Sequence, residues 1–195
     1  MTTYGVVRLD KVRSVYSGHL ESLVYDDGAL QNGYVAMYEG LREGERELRD
    51  AIQPVTAKLH RPVVLIAAPE VRYEEYIKEL NALEWFRTPA GYPVRAYHLE
   101  KGDIFSVSDT VMNLIGDEPE IGNYALAEDG SFELREYETG TDASGYGFVG
   151  RIIDYETIGT TVRAGGPSPS GAGFDVGRTI NFVVIDVIRN DIVII

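Results

Sequence analysis

Three histidines, 31 acidic residues and no cysteine set the terms for any chemistry in this 195-residue chain. The lack of thiols removes cysteine nucleophiles, thiolate zinc sites and disulfide frameworks together. His19, His60 and His98 stand far apart in the sequence, and none has a second histidine at metal-binding spacing. A triad needs a nucleophile, a base and an orienting group that converge in space, and these spacings propose none. His98, in the alternating run Tyr97-His-Leu-Glu100, reads as an ordinary sheet or surface histidine rather than a base or a ligand. Acids are abundant, so close pairs carry little information. Glu43-Gly-Glu-Arg-Glu47 is interleaved with Arg42, Arg46 and Arg49, which favours a solvated, salt-bridged surface over a cation cage. Asp117-Glu-Pro-Glu120 offers three carboxylates but lacks the Asp-x-Asp-x-Asp-Gly spacing of a calcium loop, and reads as a solvated turn. Gly140-Thr-Asp-Ala-Ser-Gly-Tyr-Gly147 neither follows an apolar strand nor opens a helix, and no Gly-Lys-Ser/Thr occurs, so a phosphate cradle is not expected. The reading assigns no catalytic residue, no cofactor and no metal. A hydrolase using paired carboxylates stays as the lesser alternative, because only distance in space identifies such a pair.

The charge balance narrows the partners. Eighteen basic against 31 acidic residues leave a formal charge of −13, which argues against nucleic-acid backbone and against an anionic membrane surface. The longest apolar runs, Val63-Val-Leu-Ile-Ala-Ala68 and Ile192-Val-Ile-Ile195, are far shorter than the roughly 20 residues of a membrane helix. Met1–Asp10 has no signal-peptide core, so a soluble chain that is not exported by such a signal is expected. Residues 1–97 carry 12 Lys+Arg and 14 Asp+Glu, whereas residues 98–195 carry 6 and 17, with 14 of the 21 glycines. That asymmetry suggests a β-rich unit over 1–99 and an acidic, glycine-rich β unit over 100–195.

The elements that must position these residues are mostly strands. Val6–Leu9, Gly33–Tyr38, Val63–Ala67, Ile104–Val107, Tyr124–Leu126, Phe148–Tyr155 and Thr179–Ile188 are β-branched or aromatic runs bounded by turn residues. Phe132, Leu134 and Glu136 alternate with Glu133, Arg135 and Tyr137, as a half-buried strand requires. Tyr73, Tyr76, Ile77 and Leu80 form a helical stripe, so a short helix is expected over about 71–83, and Ser108–Ile115 suggests one or two further turns. The fold class is mainly β: one or two small barrel or sandwich domains with one or two short helices. Residues 164–173 contain only Gly, Pro, Ser and Ala and read as a flexible loop between two strands. Thirteen tyrosines suit barrel strands and binding surfaces equally.

Four segments taken in order, Gln31–Tyr38, Leu41–Leu48, Pro62–Glu70 and Arg95–Val107, together with a glycine-rich hairpin before a last strand, resemble a group of tailed-bacteriophage virion proteins encoded beside the major capsid protein. The resemblance implies a non-enzymatic role as a decoration or cement protein that binds and stabilises the capsid shell. It implies the major capsid protein as partner, a homo-oligomer, and a place on the capsid surface after assembly in the host bacterial cytoplasm. In that setting residues 1–15 read as an arm, with Tyr4, Val6, Val7, Leu9 and Val12 as interface residues along a neighbour's sheet edge. A first strand within its own domain is the competing reading of that segment. The less charged first half is the expected anchor, with the acidic half toward solvent. The alternative is a carbohydrate- or host-surface-binding module of a tail or spike.

Overall fold

The computed structural model describes residues 3–69, 83–164 and 174–193. The expected helix over 71–83 and the loop at 164–173 therefore lie outside the described residues, apart from Leu83 and Ala164. The architecture is mainly β, with a closed five-stranded barrel, a separate seven-stranded sheet and, among the described residues, one short α-helix.

Strands β2 (Leu20–Val24), β3 (Val35–Leu41), β4 (Leu48–Ile52), β5 (Val64–Ile66) and β6 (Val94–His98) close the barrel in the order β2-β4-β3-β5-β6. The run Val63–Ala67 is apolar without alternation because both of its faces are buried. Val64 and Ile66 join Leu23, Ala36, Ala51, Val94 and Ala96 in one cluster, whereas Val63, Leu65 and Ala67 join Val35, Met37 and Tyr97 in another. The first cluster fills the barrel. The second covers the barrel's outer wall, where it meets Phe105, Val107, Leu134, Phe148, Val183 and Ile185 of the other sheet.

That sheet runs β1 (Val7–Lys11), β7 (Ile104–Ser108), β12 (Phe174–Asn190), β11 (Phe148–Ala164), β9 (Tyr124–Ala127), β10 (Leu134–Tyr137) and β8 (Met112–Asn113). The chain's two halves are thus interlocked. β1, from the first half, pairs antiparallel with β7 of the second. Phe132, from the second half, enters the barrel's cluster against Tyr25 and Tyr34, and its carbonyl accepts the Val35 N–H at 2.8 Å. Two glycines make the contact between barrel and sheet possible. A Cβ on Gly147 would lie 2.2 Å from the Arg61 carbonyl oxygen, and one on Gly5 would lie 2.2 Å from that of Asn32. Backbone cannot yield as a side chain can, so both positions exclude any larger residue.

Of the two helical expectations, only Ser108–Ile115 lies within the described residues, and it is met in part. Ser108–Ile115 yields a single 3-10 turn, Asp109–Val111, which runs straight into β8. The one α-helix among the described residues, α1 (Arg13–Ser17), was not anticipated; it is too short to show periodicity and ends on Gly18 in the left-handed region, φ 69°. None of the described helices is long and apolar enough to cross a membrane.

Candidate functional site

The register of the barrel gathers the chain's scattered polar chemistry at one mouth. Along β2 and β6, Leu20 faces Tyr97, Glu21 faces Ala96 and Leu23 faces Val94. Paired residues share a face, as do positions two apart on a strand. Glu21 and His98 therefore stand on the inward face with Leu23, Val94 and Ala96. On the same argument Tyr38 shares the face of Ala36, and Arg49 that of Ala51. The apolar members fill the barrel, with Phe132 at the far end, and the polar members crowd the opposite opening.

The geometry there is specific. Glu21 Oε2 accepts a hydrogen bond from Arg49 Nε at 2.9 Å, and its Oε1 lies 3.3 Å from His98 Nε2. The His19 ring stacks on His98 with centroids 4.2 Å apart and planes inclined by 28°. Tyr38 meets His98 edge-on at 6.1 Å, and the Arg49 guanidinium sits 5.0 Å from the Tyr38 ring centroid. Burial, reinforced by the Glu21 carboxylate, pushes the Tyr38 phenol above its ordinary range, so it stays a neutral hydroxyl at neutral pH. His19 is exposed while Glu21 and His98 are half-buried. A cleft of about 230 Å³, lined by Tyr38, Arg61, Pro62, His98 and Ile192 among others, opens beside the cluster. One potential ligand atom each from His19, Glu21 and His98 lie within 4.8 Å of one another. Spacing along the chain concealed this group. Its signal was the pairing of two strands that approach their ends at His19 and His98, and sequence alone does not supply that register.

A second feature is the hairpin of β11 and β12, each 17 residues long and paired from Phe148–Asn190 out to Ala164–Phe174. Neighbouring strands support only its base. β9 pairs with Val149–Arg151, and β7 with Phe182–Asp186. Beyond Thr157 and Asn181 the hairpin continues as a two-stranded ribbon of seven further residues on β11, roughly 23 Å at about 3.3 Å per residue. Among the described residues no strand pairs with either of its outer edges. Its root is tied down: Arg8 bonds Glu156 at 2.9 Å, and Asn181 Nδ2 donates to Asp109 at 2.9 Å. Ile153 and Ile158 are exposed along β11.

The residues expected at an interface sit in or beside β1. Val6 and Val12 are buried, at 2% and 0% exposure, and Val12 belongs to the chain's own core. Val7 and Leu9 are half-buried against the same core, and the Tyr4 ring lies 4.9 Å from the Arg87 guanidinium carbon. Since β1 is the last strand of its sheet, one edge of this segment remains unpaired within the described residues.

The acidic runs are distributed over the surface. Asp117, Glu118 and Glu120 are exposed. Arg42 reaches Asp26 at 2.8 Å, and Arg49 reaches Glu21, so these arginines pair outside the Glu43–Glu47 run. One neighbouring pair does perturb an acid. Burial first, and then the Glu128 charge, raise the Glu133 carboxyl above its ordinary value. The folded chain therefore holds that proton more tightly than the unfolded one, and stability falls as pH rises through the interval between the two values. Glu133→Gln is expected to raise stability at pH 7 by at most about 1 kcal/mol, because the group is partly in water. Below about pH 4 the two proteins should converge, since both states then carry the proton. Urea denaturation at the two pH values checks the sign.

No protein-family model matches the chain, and neither the curated proteins nor the solved structures contain a match to it.

Proposed function

We propose that this chain is a non-enzymatic structural protein of a tailed-phage virion, which binds the assembled capsid shell and stabilises it. The ribbon of β11 and β12 carries the reading. An isolated two-stranded hairpin is marginal in water, and two unpaired edges are templates for strand addition. A chain that builds such a ribbon and roots it with an ion pair gains from it when a neighbour's strand or sheet edge completes the pairing. The resemblance to virion proteins encoded beside a major capsid protein supports the same role, as does the acidic surface, which suits a shell exterior better than a face toward packaged DNA.

Such a protein acts by mass action. It binds the closed shell and not the dissociated subunits, so it raises shell stability by RT ln(1 + [L]/Kd). Copies that also touch one another on the lattice add avidity. The test is co-sedimentation with shells assembled from the major capsid protein of the same genome. Saturable binding at a fixed number of copies per shell, with a higher melting temperature of the shell, is the expected result. Absence of binding to intact shells overturns the reading, and retention on a glycan array without shell binding would replace it with a carbohydrate-binding module.

A further inference from the structure

Independently of that role, we propose that His19, Glu21 and His98 form a binding site for a divalent transition-metal ion of the zinc class at the mouth of the barrel. Two ligands at 2.0–2.2 Å from a tetrahedral zinc ion stand about 3.3 Å apart. His98 Nε2 and Glu21 Oε1 are 3.3 Å apart, which is the edge such a site requires. The third ligand atom lies within 4.8 Å of both. His19 is exposed and lies outside the strands, so its side chain can turn toward the other two without moving the barrel.

The surroundings favour this use of the three residues. Glu21 is held by Arg49 through its other oxygen, which leaves Oε1 directed at His98. Such an outer partner orients a metal-binding carboxylate. The Tyr38 ring, edge-on to His98, restricts the imidazole's tilt. His98 ends β6 and His19 immediately precedes β2, the strand paired with it, so the scaffold brings both to one rim of the barrel. Two imidazoles and one carboxylate select zinc, nickel or copper over magnesium, which prefers an all-oxygen octahedron. Three protein ligands leave a fourth position open toward solvent or a neighbouring chain.

The experiment is calorimetric titration of the full, untagged chain with Zn²⁺ at neutral pH, with Mg²⁺ as the contrasting ion. One Zn²⁺ per chain and no measurable Mg²⁺ binding are expected. His19→Ala and His98→Ala should each weaken Zn²⁺ by more than about tenfold. His60→Ala, which alters the only histidine outside the cluster, should leave binding unchanged. His19 is exposed, so its variant tests the ligand without disturbing the barrel, and circular dichroism confirms that each variant is folded. Absence of saturable Zn²⁺ binding, or binding that survives His19→Ala in a folded protein, overturns the proposal. Failure of shell binding would leave it intact, because the titration contains no shell.

Discussion

Excising the outer hairpin is expected to abolish shell binding while the rest of the protein stays folded. The cut is dictated by the register. Thr157 faces Asn181, so deleting residues 158–180 and joining these two through Asn-Gly rebuilds a two-residue hairpin turn of the favoured type. Every tie at the root survives: Arg8 to Glu156, Thr157 Oγ1 to Asn181 Oδ1 at 2.9 Å, and Asn181 to Asp109. Phe182, Val183 and Ile185, which serve the core and the sheet, are retained. Melting should therefore change by only a few degrees, because among the described residues neither core cluster includes any of 158–180. Co-sedimentation should fall by at least about tenfold, the equivalent of 1.4 kcal/mol of lost affinity. A truncated chain that still saturates the shell would place the contact elsewhere, and the unpaired edge of β1 would then be the surface to test.

The largest effect on stability is expected at Glu136. This carboxylate is 1% exposed, yet it is one of the best-satisfied groups in the molecule. Oε1 accepts hydrogen bonds from the Glu120 N–H at 2.8 Å and from Asn123 Nδ2 at 2.9 Å, and Oε2 accepts one from the Ile115 N–H at 3.1 Å. It thereby organises the loop 114–120, whose own carboxylates are exposed, and ties that loop to β10. Glu136→Ala leaves three donors without their acceptor and opens a cavity, so a loss of roughly 3–5 kcal/mol is expected. Glu136→Gln keeps the volume and one acceptor but turns an amide N–H₂ toward a donor, and should cost about half as much. Chemical denaturation gives both values. Hydrogen exchange at the Ile115 and Glu120 amides should speed up in either variant, since these lose their partner. A change below 1 kcal/mol in Glu136→Ala would mean that the loop finds water in place of the carboxylate.

Much of the fold can be read in the residues themselves. The alternation at 132–137 places Phe132, Leu134 and Glu136 inward and Arg135 outward, and burial follows that pattern. The strand runs at 33–38, 63–67, 104–107 and 124–126 lie in or overlap strands of the structure, because β-branched and aromatic side chains with turn residues at either end leave few other conformations. β2 and β4 were harder to see. Leu20-Glu-Ser-Leu-Val24 and Leu48-Arg-Asp-Ala-Ile52 mix charge with small residues, and only the wall of a closed barrel makes strands of them.

Composition and periodicity determine which segments extend and which faces seek burial, since both are properties of residues close together in the chain. They carry no record of strand order. Only the tertiary structure decides that β1 joins the second half's sheet, that Phe132 crosses into the barrel, and that Glu21 stands beside His98, because those facts depend on which edges pair across separations of many tens of residues. The physical reason is shared. A hydrophobic face specifies that it must be covered, while hydrogen-bond register and the few close backbone approaches, such as Gly147 over Arg61, specify by what.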